Sequence, residues 1–121
     1  MTATILIVED SDLGEQLIEI LKMEGYSSIL ALEAITGLRL VKEYQPDLIL
    51  TDLTLPEVSG LEFISNIHTD PALTHIPVIV MSVGPDRQDA ALAAGADAFL
   101  SKPFLNEEFL ASIQQALKIG Q

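Results

Sequence analysis

The chain has 121 residues, the length of one ordinary domain, and 49% of them are apolar, enough for one continuous core. Eighteen acidic against 6 basic residues give a formal net charge of −12, scattered along the chain, which argues against any direct nucleic-acid binder that works by neutralising phosphates. Cysteine and tryptophan are absent, which excludes a disulfide framework, a thiolate nucleophile and a zinc knuckle, and leaves Leu, Ile, Val and Ala to build the core.

The first residues, Met1 to Thr4, have neither the basic region nor the apolar core of a signal peptide, and no apolar run approaches the about 20 residues of a membrane span. A cytoplasmic protein without membrane contact is expected. A short apolar run, Ile5–Val8, predicts the first strand. The first helix is opened by Asp12 with Glu15 three residues on, a capping-box pattern, carries Leu17, Ile20 and Leu21, and ends at Gly25. Ser28–Leu32 predicts strand two. Ile35, Leu38 and Val41 form the next helical stripe, stopped by Pro46 just beyond Tyr44. Leu48–Thr51 predicts strand three. A third helix starts at Ser59 with Glu62 as a second capping-box pair and is expected to bury Leu61, Ile64 and Ile67. Val78–Met81 is strand four, and an Ala-rich helix follows from Asp86 to Ala94, closed by Gly95. Ala98–Leu100 is strand five. The last helix follows Asn106, has Glu107 and Glu108 in its first turn, and places Phe109, Ile113 and Leu117 at steps of four.

Several of the strands are apolar at consecutive positions, the pattern of strands covered on both faces. Five strands alternating with five helices therefore predict an α/β fold: a doubly wound, five-stranded parallel sheet with helices on both sides. Its order is taken as 2-1-3-4-5 by analogy with the flavodoxin-like class of sheets. One such domain over residues 1–121 is expected.

In a sheet of this order, ligands bind beyond the carboxyl ends of the strands, beside the switch point between strands one and three. Strand one runs into Glu9 and Asp10, strand three into Asp52, strand four into Ser82, and strand five is followed by Lys102-Pro103. Two unit charges 4 Å apart repel by about 4 kcal/mol at an effective dielectric near 20, so the carboxylates need a cation. Lys102 supplies one, and the hard oxygen donors suit Mg²⁺, or Mn²⁺ in its place, far better than zinc. A carboxylate beside such a metal is placed for in-line attack on a phosphoryl group, giving an aspartyl-phosphate.

Four blocks, Ile5 to Asp10, Pro46 to Pro56 with Gly60, Pro77 to Ser82 and Gly95 to Phe104, together resemble the signature segments of response-regulator receiver domains. The likeness spans essentially the whole chain. It implies a phosphorelay switch of two-component signalling, not a conventional turnover enzyme. Asp52 would be the phosphoacceptor, taking the group from a histidine kinase or phosphotransfer protein. Asp10 would bind the metal directly, Glu9 through water, and Thr54 through its backbone carbonyl. Ser82 would be the switch hydroxyl, Lys102 the phosphate-pairing cation and Phe99 the rotating aromatic, with the surface around helix 4, strand 5 and helix 5 changing to control an output partner. A cis Lys102-Pro103 peptide is also implied. Glu9 stands where aspartate is commoner, Ser82 where threonine is, and Val83 where a smaller residue is usual, which would narrow the approach to the phosphoryl group.

Plainer readings stand beside these. Asp86, Asp89 and Asp97 read as surface or capping acids, and His68 and His75 as solvated residues of a polar loop around Asp70-Pro71. A degenerate receiver, acting as a phosphorylation-independent interaction module, is the competing function. A haloacid-dehalogenase-type phosphatase is disfavoured because Thr54, not an acid, lies two residues past Asp52. A flavodoxin relative is disfavoured because the acidic turn Glu9-Asp10-Ser11 would repel a phosphate.

Overall fold

In the computed structural model, which describes residues 2–119, strands and helices alternate from end to end. The elements are β1 (Thr4–Val8), α1 (Leu13–Met23), β2 (Ser27–Ala31), α2 (Ala34–Tyr44), β3 (Leu48–Asp52), α3 (Gly60–Thr69), β4 (Val78–Val83), α4 (Gln88–Ala94), β5 (Ala98–Lys102) and α5 (Asn106–Ile119). All four pairings are parallel and the order is β2-β1-β3-β4-β5, as expected.

The consecutive apolar residues of the inner strands are explained by two cores. Alternate side chains point to opposite faces of a strand. Leu6, Val8, Ile49, Val78 and Val80 accordingly join Val41, Phe63, Ile64 and Ile67 of α2 and α3 on one face. Ile5, Ile7, Leu48, Leu50, Ile79 and Met81 join Leu17 and Leu21 of α1 and Phe109, Ile113 and Ala116 of α5 on the other. Each fully buried side chain of this kind contributes about 1.5–3 kcal/mol of transfer free energy.

The capping expectations divide. Ser59 does cap α3, its hydroxyl accepting the Glu62 N–H at 3.2 Å. Gly25, with φ +87, ends α1 in a Schellman pattern: its N–H reaches the Lys22 carbonyl and the Tyr26 N–H reaches Leu21. Asp12, however, is itself in the αR region and makes no side-chain cap. The acceptor at that end is Ser11, whose Oγ takes the Leu13 N–H at 3.3 Å. Strand β2 begins one residue earlier than expected and stops at Ala31, leaving Leu32 exposed, and α4 starts at Gln88 instead of Asp86. Ile35 is exposed, and Leu61 only half-buried. The wide apolar stripes of α2 and α3 already cover their half of the sheet with Val41, Phe63, Ile64 and Ile67.

Two aspartates pin the amino ends of the sheet. Asp47, just before β3, accepts the Thr4 N–H on its carboxylate at 2.7 Å while its own N–H donates to the Thr4 carbonyl at 2.8 Å. Asp97, just before β5, repeats this on Val78, at 2.9 and 2.8 Å. Asp97 is thus a strand clamp and not simply a surface acid. Asp97→Ala is expected to lower stability by about 1–3 kcal/mol, the cost of orphaning a largely buried donor, read as a shifted urea midpoint at unchanged slope. His68 is exposed, as expected, but it lies in the last turn of α3 and not in a loop, against the Gly95 backbone, where a Cβ would come within 2.6 Å of its ring.

Candidate functional site

Parallel register brings the expected residues to one edge. Thr51 lies opposite Val8 and Asp52 opposite Met81, so Glu9 and Ser82 each follow one residue beyond a ladder pair. Val83 pairs with Lys102 across β4 and β5. Glu9 is 1% exposed, and Asp52 and Ser82 are buried, an unusual concentration of polar groups in a sheet otherwise lined with Leu, Ile and Val.

Lys102 holds this edge together. Its Nζ donates to Asp52 Oδ2 at 2.9 Å and to Glu9 Oε2 at 3.0 Å, bridging β1, β3 and β5. The remaining oxygens are also occupied: Asp52 Oδ1 accepts the Thr54 N–H at 3.1 Å, and Glu9 Oε1 accepts the Ser11 hydroxyl at 2.8 Å. Burial pushes the Lys102 ammonium down, yet its hydrogen bonds to Asp52 and Glu9 and the charges of both outweigh this and raise its pKa above the ordinary 10.5. The Asp52 carbonyl, facing the other way, accepts the Thr51 hydroxyl at 2.9 Å.

Not every expected residue joins this cluster. Asp10 is exposed and lines a shallow cleft with Leu32, Glu33, Thr36 and Pro56, while Glu9 is turned toward Lys102 and Ser11. Among the described residues, no three His, Asp or Glu side chains are gathered closely enough to hold a metal as an all-protein cage. Mg²⁺ asks for less, since it keeps several waters and is met by one or two carboxylates, and Asp52 and Asp10 are donors of the right hard-oxygen kind. Phe99 is half-buried and packs on the core shared by α2 and α3. The Lys102-Pro103 peptide is cis. Val83 is 80% exposed and stands on the rim of an apolar groove of about 480 Å³, with Leu13, Leu17, Ile20 and Phe104.

One residue of the site, Ser11, was given no role from sequence, and Gly60, named there only as part of a resembling block, gains a physical one. Ser11 is visible only as a serine two residues before the expected helix, the spacing at which its hydroxyl accepts the Leu13 N–H. Gly60 is required because a Cβ there would fall on the Asp52 carbonyl oxygen.

A family model described as response regulator receiver domain matches residues 5–114. The chain belongs to this family. Its curated relatives include the polar-differentiation response regulator DivK of Brucella ovis, 37% identical over 120 residues, covering 97% of this chain and 98% of the relative. Among solved structures, a response regulator from Chloroflexus aurantiacus superimposes with a TM-score of 0.93 at 25% identity, covering 98% and 99% of the two chains. The receiver domain of a Pseudomonas aeruginosa PAO1 sensor histidine kinase does so with a TM-score of 0.88 at 26% identity, over 98% and 99%, and carries a magnesium ion coordinated in its active-site cleft. Receiver domains are phosphorylation-based switches of two-component signalling that bind Mg²⁺ in the active site; they are not conventional enzymes. No helix among the described residues is long and apolar enough to cross a membrane.

Proposed function

We propose that this receiver works in the cytoplasm as one unit over residues 1–121, accepting a phosphoryl group on Asp52 from a histidine kinase or phosphotransfer protein. The observation that carries the reading is the Lys102 ammonium held 2.9 Å from the Asp52 carboxylate at the carboxyl edge of the sheet. An Asp52 oxygen attacks phosphorus in line; the new O–P bond forms as the N–P bond to the donor imidazole breaks, and the imidazole leaves with the electron pair. Lys102 then exchanges its bond to the carboxylate for one to a phosphoryl oxygen, and the Ser82 hydroxyl donates to another. Asp10 and Asp52, with the Thr54 carbonyl, would hold Mg²⁺ directly and Glu9 through water. When bound, that ion offsets charge on the phosphoryl oxygens. Movement of Ser82 toward the new group leaves space that Phe99 fills, altering the surface of α4, β5 and α5 that an output partner reads.

Incubating the protein with Mg²⁺ and acetyl phosphate is expected to give a hydroxylamine-sensitive adduct that is absent from Asp52→Asn. Absence of any adduct in the unsubstituted protein, with partner binding unchanged in Asp52→Ala, would point instead to a phosphorylation-independent interaction module.

A further inference from the structure

A glutamate side chain has one more rotatable bond than an aspartate, so a carboxylate at its end is held in one place only if something fixes it. At Glu9 that role falls to Ser11. The Ser11 hydroxyl donates to Oε1 at 2.8 Å, while the opposite oxygen, Oε2, receives Lys102 at 3.0 Å. Ser11 is itself anchored, its Oγ accepting the Leu13 N–H at 3.3 Å and its carbonyl the Gly14 N–H at 3.1 Å. Gly14 walls the stem of Glu9, where a Cβ would lie 3.5 Å from Glu9 Cβ and 3.6 Å from Cγ. A hydrogen-bonded line thus runs from the start of α1 through Ser11, Glu9 and Lys102 to Asp52.

We propose that Ser11 is a positioning residue for Lys102: by holding Glu9 in one rotamer it keeps the ammonium against the phosphoacceptor. The proposal rests on the reading of Lys102 as the phosphate-pairing cation, and deepens it. Glu9 alone would share its charge between several orientations. With Ser11 on one oxygen, the other is aimed, and the ammonium has a fixed seat between two strands. Second partners of this kind commonly matter to a site nearly as much as the groups they orient.

The test follows the Lys102 ammonium by ¹H–¹⁵N correlation in the unphosphorylated chain, the signal being assigned by its loss in Lys102→Met. A slowly exchanging signal is expected in the unsubstituted protein and in Ser11→Thr, and its loss in Ser11→Ala and Ser11→Asp. Aspartate keeps an oxygen for the Leu13 N–H but has no proton to give Glu9, so a role limited to capping α1 would leave the Ser11→Asp signal in place. At saturating Mg²⁺, the rate of adduct formation from acetyl phosphate should fall about tenfold in Ser11→Ala and Ser11→Asp and recover in Ser11→Thr. An unchanged ammonium signal in Ser11→Ala or in Ser11→Asp overturns the proposal. That outcome leaves the phosphoacceptor reading intact, since the latter stands or falls separately on the adduct lost in Asp52→Asn.

Discussion

Gly60→Ala is expected to destabilise the protein by about 3 kcal/mol, at the upper end of what overpacking a closed site costs. The added methyl would fall on the Asp52 carbonyl oxygen and lie 2.5 Å from Leu53 Cα. Both are backbone atoms, which cannot swing aside as a side chain would. The Gly60 N–H already donates to the Leu53 carbonyl at 2.9 Å, so the start of α3 is tied to the strand end it would have to leave. Relief must come from moving either α3 or Asp52, and moving Asp52 takes its carboxylate away from Lys102. Urea unfolding should show the loss, and adduct formation should fall in parallel. Gly25→Ala is the control. Gly25 has φ +87 and open space around it, so alanine there meets only backbone strain of about 1–2 kcal/mol and leaves phosphorylation unchanged.

Lys102→Met should have a second large effect, and one that depends on metal and pH. Without the ammonium, the buried Glu9 and Asp52 carboxylates lose their shared cation. Removing one partner of a buried pair costs about 3 kcal/mol or more. In EDTA the variant is therefore expected to unfold at markedly lower urea, and excess Mg²⁺ should restore more stability to it than to the unsubstituted protein. Adduct formation should drop about a hundredfold or more, the usual loss when a preorganised group facing developing negative charge is removed. The raised Lys102 pKa sets the pH window. A cation whose pKa is higher folded than unfolded stabilises the fold fully below its unfolded value, and that stabilisation fades as pH rises through the folded one. The ion-pair contribution should thus be constant through neutrality and disappear only above about 10.5, and that alkaline decline should be missing from Lys102→Met. A decline of equal size in the variant would show that other groups cause it.

Much of this site was legible in the chain because strand ends are local events. Glu9, Asp52, Ser82 and Lys102 each follow an apolar run, and a parallel sheet brings such ends together whatever its loops do. What could not be read was direction. Glu9 turns its carboxylate to Lys102 and Ser11 through a rotamer that the sequence Glu9-Asp10-Ser11 does not specify. The capping of α1 was misassigned for a related reason. Asp12 has the better pattern, but Ser11, two residues before Leu13, serves both Leu13 and Glu9. Asp97 was invisible as a clamp because its partner, Val78, lies nineteen residues away on another strand. Ile35 fits a helical stripe, yet the stripe is wider than the surface available to cover it.

The clamps at Asp47 and Asp97 also bear on how a message could leave this sheet. Sliding β1 along β3, or β4 along β5, by one residue would strip a side-chain acceptor from a backbone donor and turn every inward side chain outward. Registry of these two strand pairs is therefore fixed at the edge remote from Asp52. Strain introduced at the opposite edge is thus opposed as translation of β1 on β3 and of β4 on β5, which leaves the loops and helix starts that crown those strands to take it up. Within each clamped pair the strands behave as teeth of a comb held at its spine, with the tips left to bend.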